Sequence, residues 1–418
     1  METWMSNHRS LIFGLDIGST HVTAILAEAT PEEFKIIGLG QSKNKGIKYG
    51  SIIDIAKTTE AIKNAKEAAE LMSGRYVTSA WVSCGGMHVR SMDSNGMLAI
   101  ESGEVTKSDL DRVIKTAQAV VMPDDQQVLH VLPKEFFIDG YRGIRNPLGI
   151  RGVRLEVDVH MITGNKSYFP NALKCIEQAG LKVKGFVLQQ LAASMAVMTE
   201  DEKELGACLV DIGGGTTDII CYKEGAVIHT ASIPIGGSHF TQDLSIGLRT
   251  SPSDAEKIKI KYGHCLPQSS ELEEMIEVPN VGDAGFRTVS RRNICQIIEP
   301  RADEVYKLIF DHLEKEKLTA KMNAGLVLTG GASSLKGFVD LGRYNFDLPI
   351  RLGIPVVNSG IKESLTGSDM AAAIGLMYYG YEKIDKADLV KKVKKETTSS
   401  IGDSFLNNIT QQFKDLFG

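Results

Sequence analysis

Residues 208–222 read Cys-Leu-Val-Asp-Ile-Gly-Gly-Gly-Thr-Thr-Asp-Ile-Ile-Cys-Tyr, and few folds accept such a stretch. An apolar run reaches Asp211, three glycines follow, and Thr216, Thr217 and Asp218 open a second β-branched run. The pattern predicts strand, tight turn, strand. Gly213, Gly214 and Gly215 free the backbone for conformations that a Cβ forbids and let N–H groups close on an anion; the threonine hydroxyls add donors. Asp211, at the strand end, is placed to hold a divalent cation through water, because Mg²⁺ keeps part of its hydration shell beside phosphate. On turn chemistry alone, a purely structural hairpin is an equal alternative.

Recurrence shifts the balance. Residues 11–26 read Leu-Ile-Phe-Gly-Leu-Asp-Ile-Gly-Ser-Thr-His-Val-Thr-Ala-Ile-Leu. Asp16 again ends an apolar strand, and Gly18, Ser19 and Thr20 form the turn. Two related hairpins far apart in sequence predict a duplicated domain that grips one ligand from both sides, with Asp16 and Asp211 facing each other. Neither hairpin is a Walker loop or a Gly-x-Gly-x-x-Gly turn. A third signature is Leu326-Val-Leu-Thr-Gly-Gly-Ala-Ser-Ser, where a strand delivers Gly330, Gly331, Ala332 and Ser333 into a turn opening a helix, so that backbone can lie flat against a purine.

In this order the three motifs resemble the two phosphate loops and the adenosine motif of the actin, Hsp70 and sugar-kinase superfamily. The resemblance implies an α/β, actin-like, duplicated ribonuclease H-like ATPase fold enclosing ATP and Mg²⁺, the metal held through water by Asp16 and Asp211. It assigns Gly236 and Gly237 to the strand-to-helix turn after the second phosphate loop. Glu256 and Lys259 lie where relatives contact ribose and adenine; in isolation they read as a solvated ion pair. Gln189 lies where the Hsp70 branch carries a Glu; it can orient water but cannot take its proton, so turnover is expected to be slow or negligible.

Between these motifs, residues 54–72 form an amphipathic helix, and 77–84 a strand ending in a Gly85-Gly86 bend. Residues 84–163 form a compact α+β insert, with strands at 96–100, 128–138 and 153–162 and a helix from Thr106 or Ser108 to Val121. A small-residue helix follows Leu188. Residues 267–290 read as polar loop with one short strand at 274–278, and a helix from 290 to 316 is expected to break or kink at Pro300. The 418 residues suffice for several domains. The net charge of −5, without a basic half, argues against nucleic acid. Six cysteines without Cys-x-x-Cys spacing fit buried thiols in a reducing cytosol. No signal peptide or transmembrane run is read.

At the end, 385–400 turn to Lys, Glu, Asp, Thr and Ser, a linker composition. In 401–418, Phe405, Leu406, Ile409, Phe413, Leu416 and Phe417 supply the apolar side of a short amphipathic helix for a membrane surface, the alternative being a helix docked on protein.

Together the motifs, the insert and this tail resemble the FtsA family of bacterial cell-division proteins, proteobacterial type. The resemblance implies that the insert is subdomain 1C, an SHS2-like domain replacing actin subdomain 1B. Subdomain 1A then comprises 8–83, 164–200 and 361–384; 2A comprises 201–245 and 325–360; 2B is 246–324. It further implies a peripheral protein on the cytoplasmic side of the inner membrane at the division septum, an actin-like self-polymer, and tethering of FtsZ filaments by their C-terminal peptide on 2B. Arg287 and Arg301 are candidates for that acidic tail, against solvated surface charge. Later division proteins such as FtsN would meet subdomain 1C. A PilM-like pilus-assembly actin homologue is the rival, and it does not predict the amphipathic tail.

Overall fold

The computed structural model describes residues 10–266, 273–282, 285–357, 360–361 and 365–384; the tail assigned above to linker and membrane helix lies outside these. The first apolar run forms β1 (Ser10–Ile17), which turns back into β2 (His21–Ala29) and then β3 (Phe34–Lys43). β1 and β2 are buried along most of their lengths, as strands covered on both faces must be. A small ribbon, β4 (Ile47–Lys48) and β5 (Ser51–Ile52), leads to α1 (Ile55–Ser73). The Asp54 carboxylate caps α1 by accepting from the Lys57 N–H at 3.0 Å, and Gly74 ends it at φ 65°. β6 (Ser79–Cys84) then returns parallel to β1.

The insert follows as β7 (Val89–Ala99), α2 (Lys107–Gln118), β8 (Gln126–Ile138), β9 (Tyr141–Ile144) and β10 (Arg154–Asn165), one antiparallel sheet in the order β7-β10-β8-β9. Thr106 and Asp109 close a capping box at the start of α2. The insert has its own core, including Val113, Phe136, Leu155 and Met161. The chain re-enters the first half through α3 (Tyr168–Gln178) and β11 (Lys182–Leu188), then crosses by α4 (Gln189–Val197) and α5 (Glu200–Leu205).

The second half repeats the first: β12 (Ala207–Ile212), β13 (Thr217–Lys223) and β14 (Ala226–Ile233) form a meander. A far lobe comprises α6 (Gly237–Gly247), α7 (Pro252–Tyr262), β15 (Met275–Pro279), β16 (Phe286–Ser290) and α8 (Arg291–Lys315). Then come β17 (Gly325–Thr329), α9 (Phe338–Asn345), β18 (Ile350–Leu352) and α10 (Ala371–Glu382). The sheets run β3-β2-β1-β6-β11 and β14-β13-β12-β17-β18, the same order and the same mixture of antiparallel and parallel pairs. Duplication is therefore visible in topology, and Asp16 on β1 corresponds to Asp211 on β12.

One apolar cluster joins the halves. Ala192, Ala193 and Ala196 of α4 and Ala371, Ala372, Ala373 and Ile374 of α10 pack with Ile12 and Ile25 on one side and Leu209 and Val327 on the other. The small side chains bring the helices close: a Cβ on Gly375 would lie 1.8 Å from the Ala192 carbonyl oxygen. Phe240, Leu244 and Tyr306 of the far lobe pack with Phe338 of α9 into a second cluster continuous with β12 and β17.

Several local expectations need correction. The segment read as loop with one strand holds a two-stranded hairpin, β15–β16, in which Ile276 and Val278 are buried. α8 is continuous through Pro300 rather than broken, capped at Ser290 and fixed along its length by buried Ile294, Ile298, Ala302, Val305 and Ile309. β7 spans eleven residues where five were expected, because its Ser, Asp and Asn positions pair along β10 and hide its apolar alternation.

Candidate functional site

The two Asp-ended hairpins close in the same way. The Gly18 N–H donates to the His21 carbonyl at 2.9 Å, and the Gly213 N–H to the Thr216 carbonyl at 2.9 Å. Between them lies a cavity of about 400 Å³. It is lined by Asp16, Gly18, Ser19 and Thr20 from one half and by Asp211, Gly213, Gly214, Gly215 and Thr216 from the other, with Gln189 beside them. Gly237 at the start of α6 and Gly330, Gly331 and Ala332 after β17 complete the wall. Gly330 has φ 84° and lies so close that a Cβ would stand 2.3 Å from Asp211 Oδ1, a position only glycine fills. The Gly237 and Ser238 N–H groups donate to the Gly213 and Gly214 carbonyls at 2.8 Å, so α6 buttresses the second loop from behind.

Three anticipated residues do not face the cavity. The Thr217 hydroxyl is fully buried and donates to the Ile235 carbonyl at 2.8 Å. Gly236 packs against the loop backbone, where a Cβ would meet the Gly213 carbonyl at 2.6 Å. Ser333 turns inward and donates to the Gly330 carbonyl at 2.7 Å. The turn at Gly331–Ser334 is a single 3₁₀ turn, and the α-helix begins only at Phe338, after Gly337 at φ 74°. Glu256 and Lys259 do line the cavity and are ion-paired at 2.7 Å. Lys259 also donates to the Gly237 carbonyl and the Thr241 hydroxyl, each at 3.0 Å, so it is a packed part of the wall rather than a solvated charge.

Charge density defines the floor. Burial, joined by the Asp369 and Asp218 charges, raises the Asp16 carboxyl to about 6, against the Ser83 hydroxyl, which donates to Asp16 Oδ1 at 2.6 Å. Burial and then the Asp218 charge raise Asp211 to about 7, with Asp16 adding and Gln189 opposing; Gln189 Nε2 donates to Asp211 Oδ2 at 3.1 Å. Asp218 is raised by burial, eased by the nearby Ser232 and Thr216 hydroxyls and the Gly86 amide. Its Oδ2 accepts from Thr216 at 2.9 Å, whereas its Oδ1 is buried with no hydrogen-bond partner among the described residues. Crowded buried carboxylates with an orphaned oxygen fit a cation. Among the described residues no three His, Cys, Asp or Glu side chains are set to chelate a metal directly.

Sequence reasoning left out contributors that strand pairing and distant segments bring in. Ser83 lies at the end of β6, beside Asp16 only because β6 pairs with β1. Asp218 stands opposite Asp211 in register, where β2 carries Thr23 opposite Asp16. Ser368 and Asp369 also line the cavity. The Ser368 carbonyl accepts from the Gly330 N–H at 3.1 Å and from the Thr329 hydroxyl at 3.0 Å, which draws this distant segment to the site.

Arg301 and Arg287 lie in the far lobe. Arg301 is not a free cation: it holds Asp243 through two bonds, at 2.6 and 2.9 Å, and also pairs with Glu304. Arg287 sits on β16, and its Nε is buried without a hydrogen-bond partner among the described residues.

A duplicated β-sheet domain closing two glycine hairpins and a third glycine turn over one acidic cleft defines an actin-like protein. The fold likeness extends over solved structures: the PilM–PilN type IV pilus biogenesis complex matches 89% of this chain and 99% of that chain with a TM-score of 0.64 at 16% identity. MreB5 of Spiroplasma citri, solved with ADP, matches 89% of this chain and 96% of that one with a TM-score of 0.55 at 14% identity. The family model "Cell division protein FtsA" matches residues 208–375, and the model "SHS2 domain inserted in FTSA" matches 86–163. The chain is 42% identical to Cell division protein FtsA of Pseudomonas aeruginosa over 374 residues, covering 89% of this chain and 90% of that protein. It is 42% identical to the Neisseria meningitidis protein over 376 residues, 90% and 91% of the two chains. Identity to the Escherichia coli K12 protein is 37% over 402 residues, 94% and 95% of the two. The chain belongs to the FtsA family of cell-division proteins.

Proposed function

We propose that the cleft takes ATP with Mg²⁺ and that nucleotide governs assembly of the chain into actin-like filaments. The observation that carries this is the pair of equivalent hairpins presenting Asp16 and Asp211 to one cavity, with Asp218 Oδ1 lacking a hydrogen-bond partner among the described residues. MreB5, which shares the fold, was solved bound to ADP, and this supports a nucleotide as the ligand here. Backbone N–H groups of the two glycine turns and the hydroxyls of Ser19, Thr20 and Thr216 would meet the phosphates; Asp16 and Asp211 would hold Mg²⁺ through water. Glycines 330 and 331 would lie against the base, with Glu256 and Lys259 toward the ribose.

Bound nucleotide supplies a phosphoanhydride open to hydrolysis. Gln189, already bonded to Asp211, can orient a water but cannot take its proton, so the chain turns over slowly and uses ATP chiefly as an assembly ligand. The further reading is that the filament lies on the cytoplasmic side of the inner membrane at the division septum. Residues 401–418 hold it there through Phe405, Leu406, Ile409, Phe413, Leu416 and Phe417. Among the described residues no helix is long and apolar enough to cross a membrane. FtsZ filaments would dock by their C-terminal peptide on the far lobe near Arg287, since Arg301 is already neutralised. Later proteins such as FtsN would use the insert.

Liposome co-sedimentation tests this reading. The full chain, with anionic lipid, should pellet more strongly with Mg-ATP, and a chain ending at Thr398 should stay in the supernatant. Equal lipid binding by the shortened chain would refute the anchor.

A further inference from the structure

β11 is the edge strand of its sheet: one side pairs with β6, and among the described residues no strand pairs with the other. Its last residue, Leu188, still needs a partner for its N–H, because an unpaired buried amide is costly. That partner comes from the insert. The Leu188 N–H donates to His130 Nε2, on β8, at 3.0 Å. Leu188 is also the N-cap residue of α4, and the next residue is Gln189, whose side chain donates to Asp211 in the cleft. A Cβ on Gly85 would lie 3.1 Å from the Gln189 Cβ, so the Gly85 backbone borders the same side chain.

His130 is held in turn. Its ring stands edge-on to Tyr379 of α10 at 6.2 Å, and its neighbours Leu129 and Leu132 pack into apolar clusters of the main body. Acceptance at Nε2 puts the ring proton on Nδ1, and burial, with the Lys383 charge, lowers the imidazole to about 4, so it stays a neutral acceptor at cellular pH.

We propose that His130 is a positioning residue. By accepting the Leu188 N–H it fixes the start of α4 and thereby Gln189 over the cleft, so that the insert and the cleft sense each other. The second half of this statement rests on the nucleotide reading above; the first does not. By linkage, a ligand that tightens Gln189 must also tighten β8.

Hydrogen–deuterium exchange on the full chain tests both. Without nucleotide, H130F, which keeps the aromatic edge toward Tyr379 but loses the acceptor, should speed exchange across 186–190 roughly fivefold or more, and H130Q, which keeps an acceptor, should stay within about twofold of the parent. Unchanged exchange in H130F overturns the proposal whatever nucleotide does. With Mg-AMPPNP, the parent should gain protection at 208–217 and at 126–133, whereas H130F should keep the first and lose the second. Equal protection at 126–133 in both would overturn the coupling. No protection at 208–217 in the parent would refute the nucleotide reading, and the nucleotide-free comparison would still decide the role of His130. Should H130F fail to fold, H130A serves: without nucleotide it should speed exchange across 186–190, and with Mg-AMPPNP it should lose the response at 126–133; unchanged exchange at 186–190 would overturn the proposal, and an unchanged response at 126–133 the coupling.

Discussion

Asp211 and Asp218 stand directly opposite each other in the β12–β13 register, both buried, with Asp218 Oδ1 unpartnered among the described residues. Like charges across a strand pair oppose folding, and burial sharpens the repulsion. Asp218→Asn should therefore stabilise the ligand-free protein by about 1–2 kcal/mol while weakening Mg-ATP binding roughly tenfold or more. Denaturant unfolding and nucleotide titration of the same variant measure the two effects, and a variant that loses stability as well as affinity would contradict a cation-centred cleft.

Asp16 and Asp211 give the site a pH signature. Unfolded, both ionise near 3.8; folded, they hold their protons to about 6 and 7. Stability from these two groups is fully present below about pH 4 and is lost as the pH rises through 6 and 7. A bound cation favours the ionised forms and offsets that loss. The rise in melting temperature on adding Mg-AMPPNP should grow from pH 5.5 to 7.5; a constant rise would show that these carboxylates do not face the ligand.

Two glycines separate structural from functional need. Gly236→Ala would place a Cβ 2.6 Å from the Gly213 carbonyl oxygen, distorting the second loop. Gly74→Ala meets nothing within 4 Å but must adopt φ 65°. Each should destabilise by about 1–2 kcal/mol in urea unfolding, yet only Gly236→Ala should abolish nucleotide binding.

Gly375→Ala pits two effects against each other. Alanine gains about 1 kcal/mol of helix propensity, but its Cβ would lie 1.8 Å from the Ala192 carbonyl, an overlap worth about 1–3 kcal/mol or more. Overpacking wins, so the melting temperature should fall. A rise would mean that α4 and α10 separate easily.

The glycine turns were legible in the sequence because their chemistry is local: Asp211, Gly213 to Gly215 and Thr216 must sit together whatever the rest of the chain does. The duplication was legible for the same reason, since it repeats Asp-Ile-Gly. Residues brought in by sheet pairing or by a distant segment were not. Ser83 reaches Asp16 through a parallel partner, and Asp369 reaches the cleft because Ser368 accepts from Gly330. Composition hid β16 as well, where Phe286, Arg287 and Thr288 read as loop and only pairing with β15 makes them a strand. Arg301 shows the converse: a basic residue in the right region looks available until Asp243, 58 positions away, is found holding it.

The cleft itself is tested most directly by calorimetric titration of Mg-ATP into the full chain and into Gly214→Val. A Cβ there meets Thr20 Cγ2 at 2.4 Å, closing the gap between the two hairpins. The parent should bind a single nucleotide per chain, more tightly with Mg²⁺ than without, and the folded variant should bind at least about tenfold more weakly, a difference of about 1.4 kcal/mol. Equal affinity in parent and variant, or binding indifferent to Mg²⁺, would place the nucleotide somewhere other than between Asp16 and Asp211.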